Sequence, residues 1–404
     1  MSSIPRAIVV GAGVAGTTTA MALLKAGIES VIYEAHPGGA SGVGAFLTLA
    51  TNGIDALRVL DADKPVLNAG FATPQIALRS ASGKPLGSTA TGIPLSDGTT
   101  SQTITRPDLY EALHQETLRR GIRVEHGRRL MSVEELPDRV RAVFHEGPTE
   151  EAEILVGCDG VHSTLRRSID PNSPAPAYSG LLTTGGYVRG VPVDMSPGSY
   201  EMIFGKRAFF GYVVAPDGQV WWFANVPHPD EPARRAFGRD SGEHWRGRLR
   251  DLFSDDAGPA VRLIDATDMI MPLTPIHTIR HLPNWHRGRA IVIGDAAHAP
   301  SPTSGQGASL SIEDALVLAK CLRDIPDHQH AFESFVRQRR PRVERIIKAA
   351  ARMNSNKVAG PFAAAIRDLV LPRIMKAAAK SKAATSQFAH HIDWEIPTAA
   401  RTTK

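Results

Sequence analysis

Three short stretches hold residues whose types and spacing suit chemistry on a nucleotide. The first is VVGAGVAG, where Gly11, Gly13 and Gly16 stand in GxGxxG spacing between an apolar run and a helical pattern, with Glu34 closing the next apolar run. There the first glycine permits a tight turn, the second lets backbone N–H groups approach a pyrophosphate, and the third brings the helix close to the sheet. The acid would accept hydrogen bonds from ribose hydroxyls. Gly11, Gly13, Ala15, Gly16 and Glu34 are therefore candidate cofactor-binding residues; an ordinary glycine-rich turn is the plainer alternative. The second stretch is ILVGCDGVHSTLRRSI, in which Asp159 and Gly160 end a strand and Ser163 opens a helix bearing Arg166 and Arg167. Asp159 can make polar contacts near a cofactor, Gly160 supplies the turn, and Arg166 can brace the loop, although Asp-Gly alone is a common turn signal.

The third stretch, AIVIGDAAHAPSPTSGQGASLSIEDALVLAKCL, spans residues 290–322. A buried-strand pattern delivers Gly294 and Asp295 at its C-terminal end, where open α/β sheets bind ligands. Past it, Gly305, Gln306, Gly307 and Ala308 present backbone N–H groups at the start of a helix, a place that favours negative charge. His298 is a candidate proton handler, with a structural histidine bonded to backbone as the plainer reading.

These residues need elements to position them. Strand, glycine turn, helix and strand from Arg6 to Glu34 make a βαβ unit, and a helix is expected over Arg106 to Arg120. From about Pro171 to Pro283 the texture turns to short β-rich runs with aromatics, which reads as an inserted sheet; after Gln306 the pattern is helical. The expected organisation is a nucleotide-binding first part over 1–170 with room for some strands of the inserted sheet, a mainly β domain over 171–285, a return segment over 286–335, and C-terminal helices over 336–404.

Composition sets the outer bounds. The chain has 404 residues, 42% apolar and 22% charged, as a folded globular protein does. No signal peptide or membrane-length run is seen, so a cytoplasmic location is expected. Cys158 and Cys321 are too few for a zinc site or a disulfide framework and are expected to be buried small residues. The net charge of +5 is uneven: Ser334 to Lys382 holds thirteen Lys or Arg against Glu344 and Asp368, leaving −6 for the remainder. That segment reads first as a solvated helical face, with a membrane surface or an acidic carrier protein as alternatives. Nucleic acid is not expected.

Taken together, the three stretches resemble the class A flavin-dependent monooxygenases, the p-hydroxybenzoate hydroxylase-like family, in a short form without a C-terminal thioredoxin-like domain. ITRPDLYEAL, with Arg106, and NWHRGRAIVIGDAAH extend the resemblance over nearly the whole chain. It implies an α/β fold: a Rossmann-like FAD-binding domain of the GR2 type, an inserted β-sheet substrate domain and a helical C-terminus. It also implies that Gly11, Gly13, Gly16 and Glu34 hold the ADP half of FAD, that Asp159 and Gly160 serve FAD and a transient NADPH or NADH, and that Gly294 and Asp295 hold the ribityl chain. Arg106 would pack near the flavin, and Gly307 and Ala308 would face its N1 and C2 carbonyl.

The implied reaction is hydroxylation of an aromatic or otherwise hydrophobic small molecule by O2 through a flavin C4a-hydroperoxide. Olefin epoxidation and an O2-independent reductase or dehydrogenase are the alternatives. Phe210, Tyr212, Trp222, Pro300 and Pro302 are candidate substrate-pocket residues, although strand alternation sends about half of the middle-domain aromatics to the other face. The Gly38 to Gly44 segment would let the flavin move. Ala35 and His36 stand where the family often has an arginine after the ribose-binding acid. A monomer or homodimer is expected, with no metal.

Overall fold

The computed structural model describes residues 6–39, 45–232, 241–354, 366, 368–373 and 387–398. Gly42 and Gly44, the centre of the glycine segment expected to move the flavin, lie outside the described residues. β1 (Arg6–Val10) runs into α1 (Val14–Lys25), which is buried from Ala15 to Leu23, and β2 (Glu29–Glu34) returns parallel to β1. β8 (Arg123–His126), β12 (Ile154–Gly157) and β19 (Ala290–Val292) extend the parallel sheet, and β18 (His286–Arg287) adds an antiparallel edge, in the order β18-β19-β12-β1-β2-β8. Such strands are covered on both faces and so read as continuous apolar runs, as IVV, ILV and AIV do. The adjacency of β1, β12 and β19 has a direct consequence. Their C-terminal ends place Gly11, Asp159 and Gly294 on one edge of the sheet.

The small strands β3 (Phe46–Leu49), β4 (Phe71–Ala72) and β7 (Gln102–Thr105) form a second sheet, and β9 (Leu130–Glu135), β10 (Val140–Phe144) and β11 (Glu150–Ala152) a third. Around them lie α2 (Thr51–Val59), α3 (Asp63–Ala69), α4 (Arg106–Arg119) and α5 (Thr164–Ile169). α4 starts cleanly because the Thr105 hydroxyl accepts the Asp108 N–H, with Pro107 in the first turn.

The middle of the chain forms a seven-stranded sheet: β17 (Thr274–Thr278), β13 (Ala177–Val188), β16 (Val220–Pro227), β15 (Phe209–Val214), β14 (Tyr200–Phe204), β5 (Gln75–Ser80) and β6 (Pro85–Ala90). β5 and β6 come from the first 170 residues. The segment read as mainly β also holds two helices, α6 (Ser241–Phe253) and α7 (Ala260–Ala266). They cover one face of the sheet, where Phe210, Tyr212 and Trp222 join Leu249, Phe253, Leu263 and Ile264 in a single core. Phe210 stacks on Trp222 at 5.4 Å and meets Phe253 edge-on. The Trp222 indole donates to the Thr267 hydroxyl at 2.8 Å, and the Tyr212 hydroxyl donates to Glu201 at 3.0 Å.

Toward the C-terminus come α8 (Gly307–Asp324) and α9 (His328–Asn354), and buried charges clamp the two together. Glu313 and Asp314 sit side by side in α8, both wholly buried. Arg339 of α9, also buried, donates through Nε to Asp314 at 2.6 Å and brings Nη1 to 2.7 Å from Glu313; Arg342 forks onto Glu313 at 2.7 and 2.8 Å. Val343, Ile346, Ile347 and Ala350 bury the apolar stripe of α9 as their spacing predicts. Burial alone would push the Asp314 carboxyl up, but His298 and Arg339 outweigh it and hold it at about 2. No helix among the described residues is long and apolar enough to cross a membrane.

Two outcomes are expected. Trp222→Ala should cost roughly 3–5 kcal/mol in urea unfolding, since it removes a buried ring, its stacking and its hydrogen bond. Because the folded-state value of Asp314 lies below its unfolded one, its contribution to stability is complete above about pH 4 and is lost as pH falls through about 2. Acid unfolding followed by circular dichroism should shift to higher pH in Arg339→Met.

Candidate active site

The glycine loop is shaped by close approach. Gly11 has φ +99, and a Cβ there would lie 2.5 Å from the Cys158 carbonyl oxygen; a Cβ on Gly16 would lie 1.8 Å from the Gly11 oxygen. No other residue type fits either place. Gly13 differs, because a Cβ there would meet nothing within 4 Å, which leaves open space over the start of α1. Gly13 is the N-cap and supplies no side chain to the first-turn N–H groups, so these donors remain for an anion. Glu34 reaches over the same loop: Oε2 accepts the Ala12 N–H and Oε1 the His36 N–H, each at 2.8 Å. Each oxygen keeps acceptor capacity for a hydroxyl.

Asp159 plays a different part from a simple cofactor contact. Its Oδ2 accepts the N–H groups of Thr164 at 2.7 Å and Leu165 at 3.1 Å, tying down the first turn of α5, while its Oδ1 is buried with no partner. Burial pushes this carboxyl up. Gly160, at φ +74, makes the turn. Arg166, almost wholly buried, donates to the carbonyls of Val161 at 2.8 Å and Ala296 at 2.9 Å. It therefore braces the loop as its position suggests, and also bolts that loop to the one after β19.

Gly294, at φ +57, is pressed between α1 and α8: a Cβ would stand 3.1 Å from the Ala15 Cβ and 2.8 Å from the Ser311 hydroxyl. The first and third stretches thus meet through Ala15. Asp295 beyond it has an exposed side chain that is nevertheless crowded by protein, as a group on the floor of a cleft is. This surrounding pushes its carboxyl up, while the charges of His298 and Arg106 pull it down. Arg106 heads α4 and its N–H donates to the Ala45 carbonyl at 2.9 Å. A Cβ on Gly307 would lie 4.0 Å from Asp295 Oδ1 and 3.8 Å from Pro300 Cγ, so the turn at the head of α8 stands beside the acid. Gly305, at φ +59, faces open space, and Gln306 caps α8 without a side-chain bond to its N–H groups. Ala308 is partly buried against the core of the parallel sheet.

His298 is only 2% exposed and bonds through Nε2 to Asp314 at 2.6 Å, so its partner is a carboxylate and not backbone. The same Asp314 oxygen accepts the Gly294 N–H at 2.9 Å. Since Asp314 stays ionised, His298 carries the shared proton on Nε2; it is a support for the loop. Asn52 adds a second tie, donating to Gln306 at 3.0 Å and to Glu313 at 2.7 Å. Asn52, Glu313, Asp314 and Arg339 are not found by reading motifs. The available signal is a pair of acids inside the apolar helix IEDALVLA, which demands cations.

The sheet face opposite α6 and α7 looks toward this cleft. Its residues include Tyr187, whose hydroxyl donates to the Ala45 carbonyl at 3.0 Å, and Gly185, where a Cβ would be 3.4 Å from that of Ala45. Phe46 packs within 6 Å of Trp221 and Phe223. The candidate pocket residues Phe210, Tyr212 and Trp222 must be corrected: alternation turns them to the other face, where their polar atoms are already bonded. Phe223 and Asn225 stand on the cleft side instead. Pro300 is partly buried beside Gly307, and Pro302 is exposed at a short 3-10 turn. Among the described residues no cluster of His, Cys, Asp or Glu suits a metal.

The comparisons fit this geometry. A family described as FAD binding domain matches residues 6–350. The chain is 32% identical over 328 residues to an aurachin C monooxygenase/isomerase of Stigmatella aurantiaca, covering 78% of this chain and 80% of the relative. It is 31% identical over 355 residues to a FAD-dependent urate hydroxylase of Klebsiella pneumoniae, covering 85% and 88%. The structure of Klebsiella pneumoniae HpxO with FAD and uric acid superposes with a TM-score of 0.82 at 24% identity, over 96% of this chain and 97% of that one. A glycine loop, an acid at the end of the next strand and an acid on the cleft floor lie along one sheet edge, and this chain belongs to the FAD-binding-domain family as a flavin-dependent monooxygenase.

Proposed function

We propose that the enzyme uses NAD(P)H and O2 to hydroxylate a small aromatic molecule held between the cleft and the Phe223 face of the middle sheet. The observation that carries this reading is the meeting of three loops at one cleft: Gly13 open for a pyrophosphate, Glu34 anchored over the same loop, and Asp295 accessible on the floor beside Gly307. FAD, when bound, supplies the redox and oxygen chemistry. Gly11 to Gly16 and Glu34 would hold its adenosine diphosphate half and Asp295 its ribityl hydroxyls. The N–H groups of Gly307 and Ala308 would stabilise negative charge at the ring end. The loop carrying Pro300 and Pro302 would form the wall where substrate meets the ring.

On the opposite wall, Asn225 is the polar residue of interest. It is 3% exposed among Phe209, Phe223 and Thr183, and its side-chain amide has no hydrogen bond to the described residues. The amide keeps its hydrogen-bonding capacity for a ligand that enters the cleft. It would orient a ring hydroxyl or ring nitrogen of the substrate.

Five measurements check this reading. Anaerobic bleaching of the flavin by NADPH and by NADH should accelerate when a bound phenol or heteroaromatic is present, and product from 18O2 should carry one labelled oxygen; unlabelled product formed without oxygen would make the enzyme a reductase. Asp295→Ala should lose most of its FAD on gel filtration, Glu34→Ala less. Arg339→Met, which leaves Asp314 buried without its cation, should weaken FAD binding at least about tenfold although it touches no cofactor atom. Asn225→Val should raise KM for the hydroxylated substrate by roughly tenfold or more while flavin content stays at the wild-type level.

A further inference from the structure

The sheet face that walls the proposed site opposite Asp295 continues past Asn225. In the β13–β16 ladder the pairs Gly185–Phe223, Thr183–Asn225 and Leu181–Pro227 follow one another on the same face. The last pair opens into a cavity of about 390 Å³. Ser301, from the loop that follows Asp295, forms part of its rim, and Ile347 and Ala351 of α9 close the far side. The cavity therefore lies between the loop that carries Asp295 and α9, end to end with the sheet wall that carries Asn225.

An irregularity in the sheet accounts for the space. β13 pairs with β17 at Tyr178–His277 and again at Leu182–Pro275, so Ser179, Gly180 and Leu181 stand opposite Ile276 alone. Gly180 takes φ +77 to make the bend. Bulges of this kind re-aim side chains and part strands beside functional sites. Two polar groups are left at the opening. The Ser179 hydroxyl is buried without a hydrogen-bond partner. Arg280, an exposed side chain, lines the cavity at its mouth and makes no ion pair or hydrogen bond with the described residues, so its guanidinium is free to meet a ligand there. Among the described residues no acid lines the cavity, and Leu181, Pro227, Ile347 and Ala351 give it apolar walls.

We propose that this cavity is a second compartment of the substrate site, which takes an apolar arm of the aromatic substrate and holds an anionic group on that arm at Arg280 and Ser179. The proposal rests on the proposed function, because the ring must lie against the Asn225 wall for its arm to enter. A guanidinium offers a carboxylate two parallel hydrogen bonds, and the buried hydroxyl offers a third donor that is otherwise unmatched. The volume lies within the range of small-molecule sites and exceeds what a lone carboxylate needs, so an arm of several carbons is accommodated.

The test uses the FAD-loaded enzyme and hydroxyphenyl alkanoates of increasing chain length beside their methyl esters, with binding read from perturbation of the flavin absorption spectrum. The acids are expected to bind at least about tenfold more tightly than their esters. Arg280→Gln should abolish that preference, Arg280→Lys should keep part of it, and Ala351→Trp should selectively weaken the longer acids. Equal binding of acids and esters by the wild type, or an acid preference that survives in Arg280→Gln, overturns the compartment. If the wild type incorporates 18O into simple phenols while showing no acid preference, the compartment alone falls. If acids bind with the expected preference but oxygen is never incorporated, the compartment stands as a ligand site and the hydroxylase reading fails.

Discussion

A carboxylate kept out of water holds the cofactor cleft in place. Asp314 has no solvent, so each of its oxygens must find donors in the protein, and it finds them in the Gly294 N–H, the His298 ring and the Arg339 guanidinium. A buried charge tolerates no drift of its partners, because losing any one leaves an uncompensated ion in low dielectric. The loop after β19, the head of α8 and the middle of α9 are therefore locked to one another by a single residue. Asp295 inherits its position from that lock, one bond beyond Gly294.

The middle sheet shows how one element serves two purposes. Its rear face is filled by Phe210, Tyr212 and Trp222 against α6 and α7, and every polar atom those rings carry is bonded. The front face can then be thin and adaptable: Gly185 and Gly211 carry no side chain, and the Phe223 ring lies over Gly211. Rigidity behind permits variation in front, which suits a scaffold on which related enzymes are described as acting on urate, hydroxynicotinate and aminohydroxybenzoate.

What was legible in the sequence follows from what is local. The glycine spacing is legible because Gly11 and Gly16 answer to contacts within their own βαβ unit and its neighbour strand. Asp295 is legible because a strand end is marked by its own apolar run. The orientation of FFGYVV is not, since all six residues are buried and alternation leaves no polar face to choose between. Size and aromaticity favoured Phe210, Tyr212 and Trp222, whereas the register of β15 against β16 turns Phe223 and Asn225 inward. α6 escaped notice because SGEHWRGRLRDLF has few apolar residues, and Leu249 and Phe253 are its wholly buried ones. The basic stretch of α9 was visible, but the destination of Arg339 and Arg342 was not: their partners lie 25 and 29 residues away in α8. Part of what reads as surface charge is internal structure.

The packing under the glycine loop has a chemical side as well. Cys158 supplies the carbonyl against which Gly11 is pressed, and its thiol, near the Thr19 hydroxyl at 3.7 Å, is pushed far up by burial. Cys321 is buried too and is raised to about 11. Oxidants attack the thiolate, not the thiol. Burial thus keeps both sulfhydryls of this flavin-dependent monooxygenase in the protonated form that oxidants attack least.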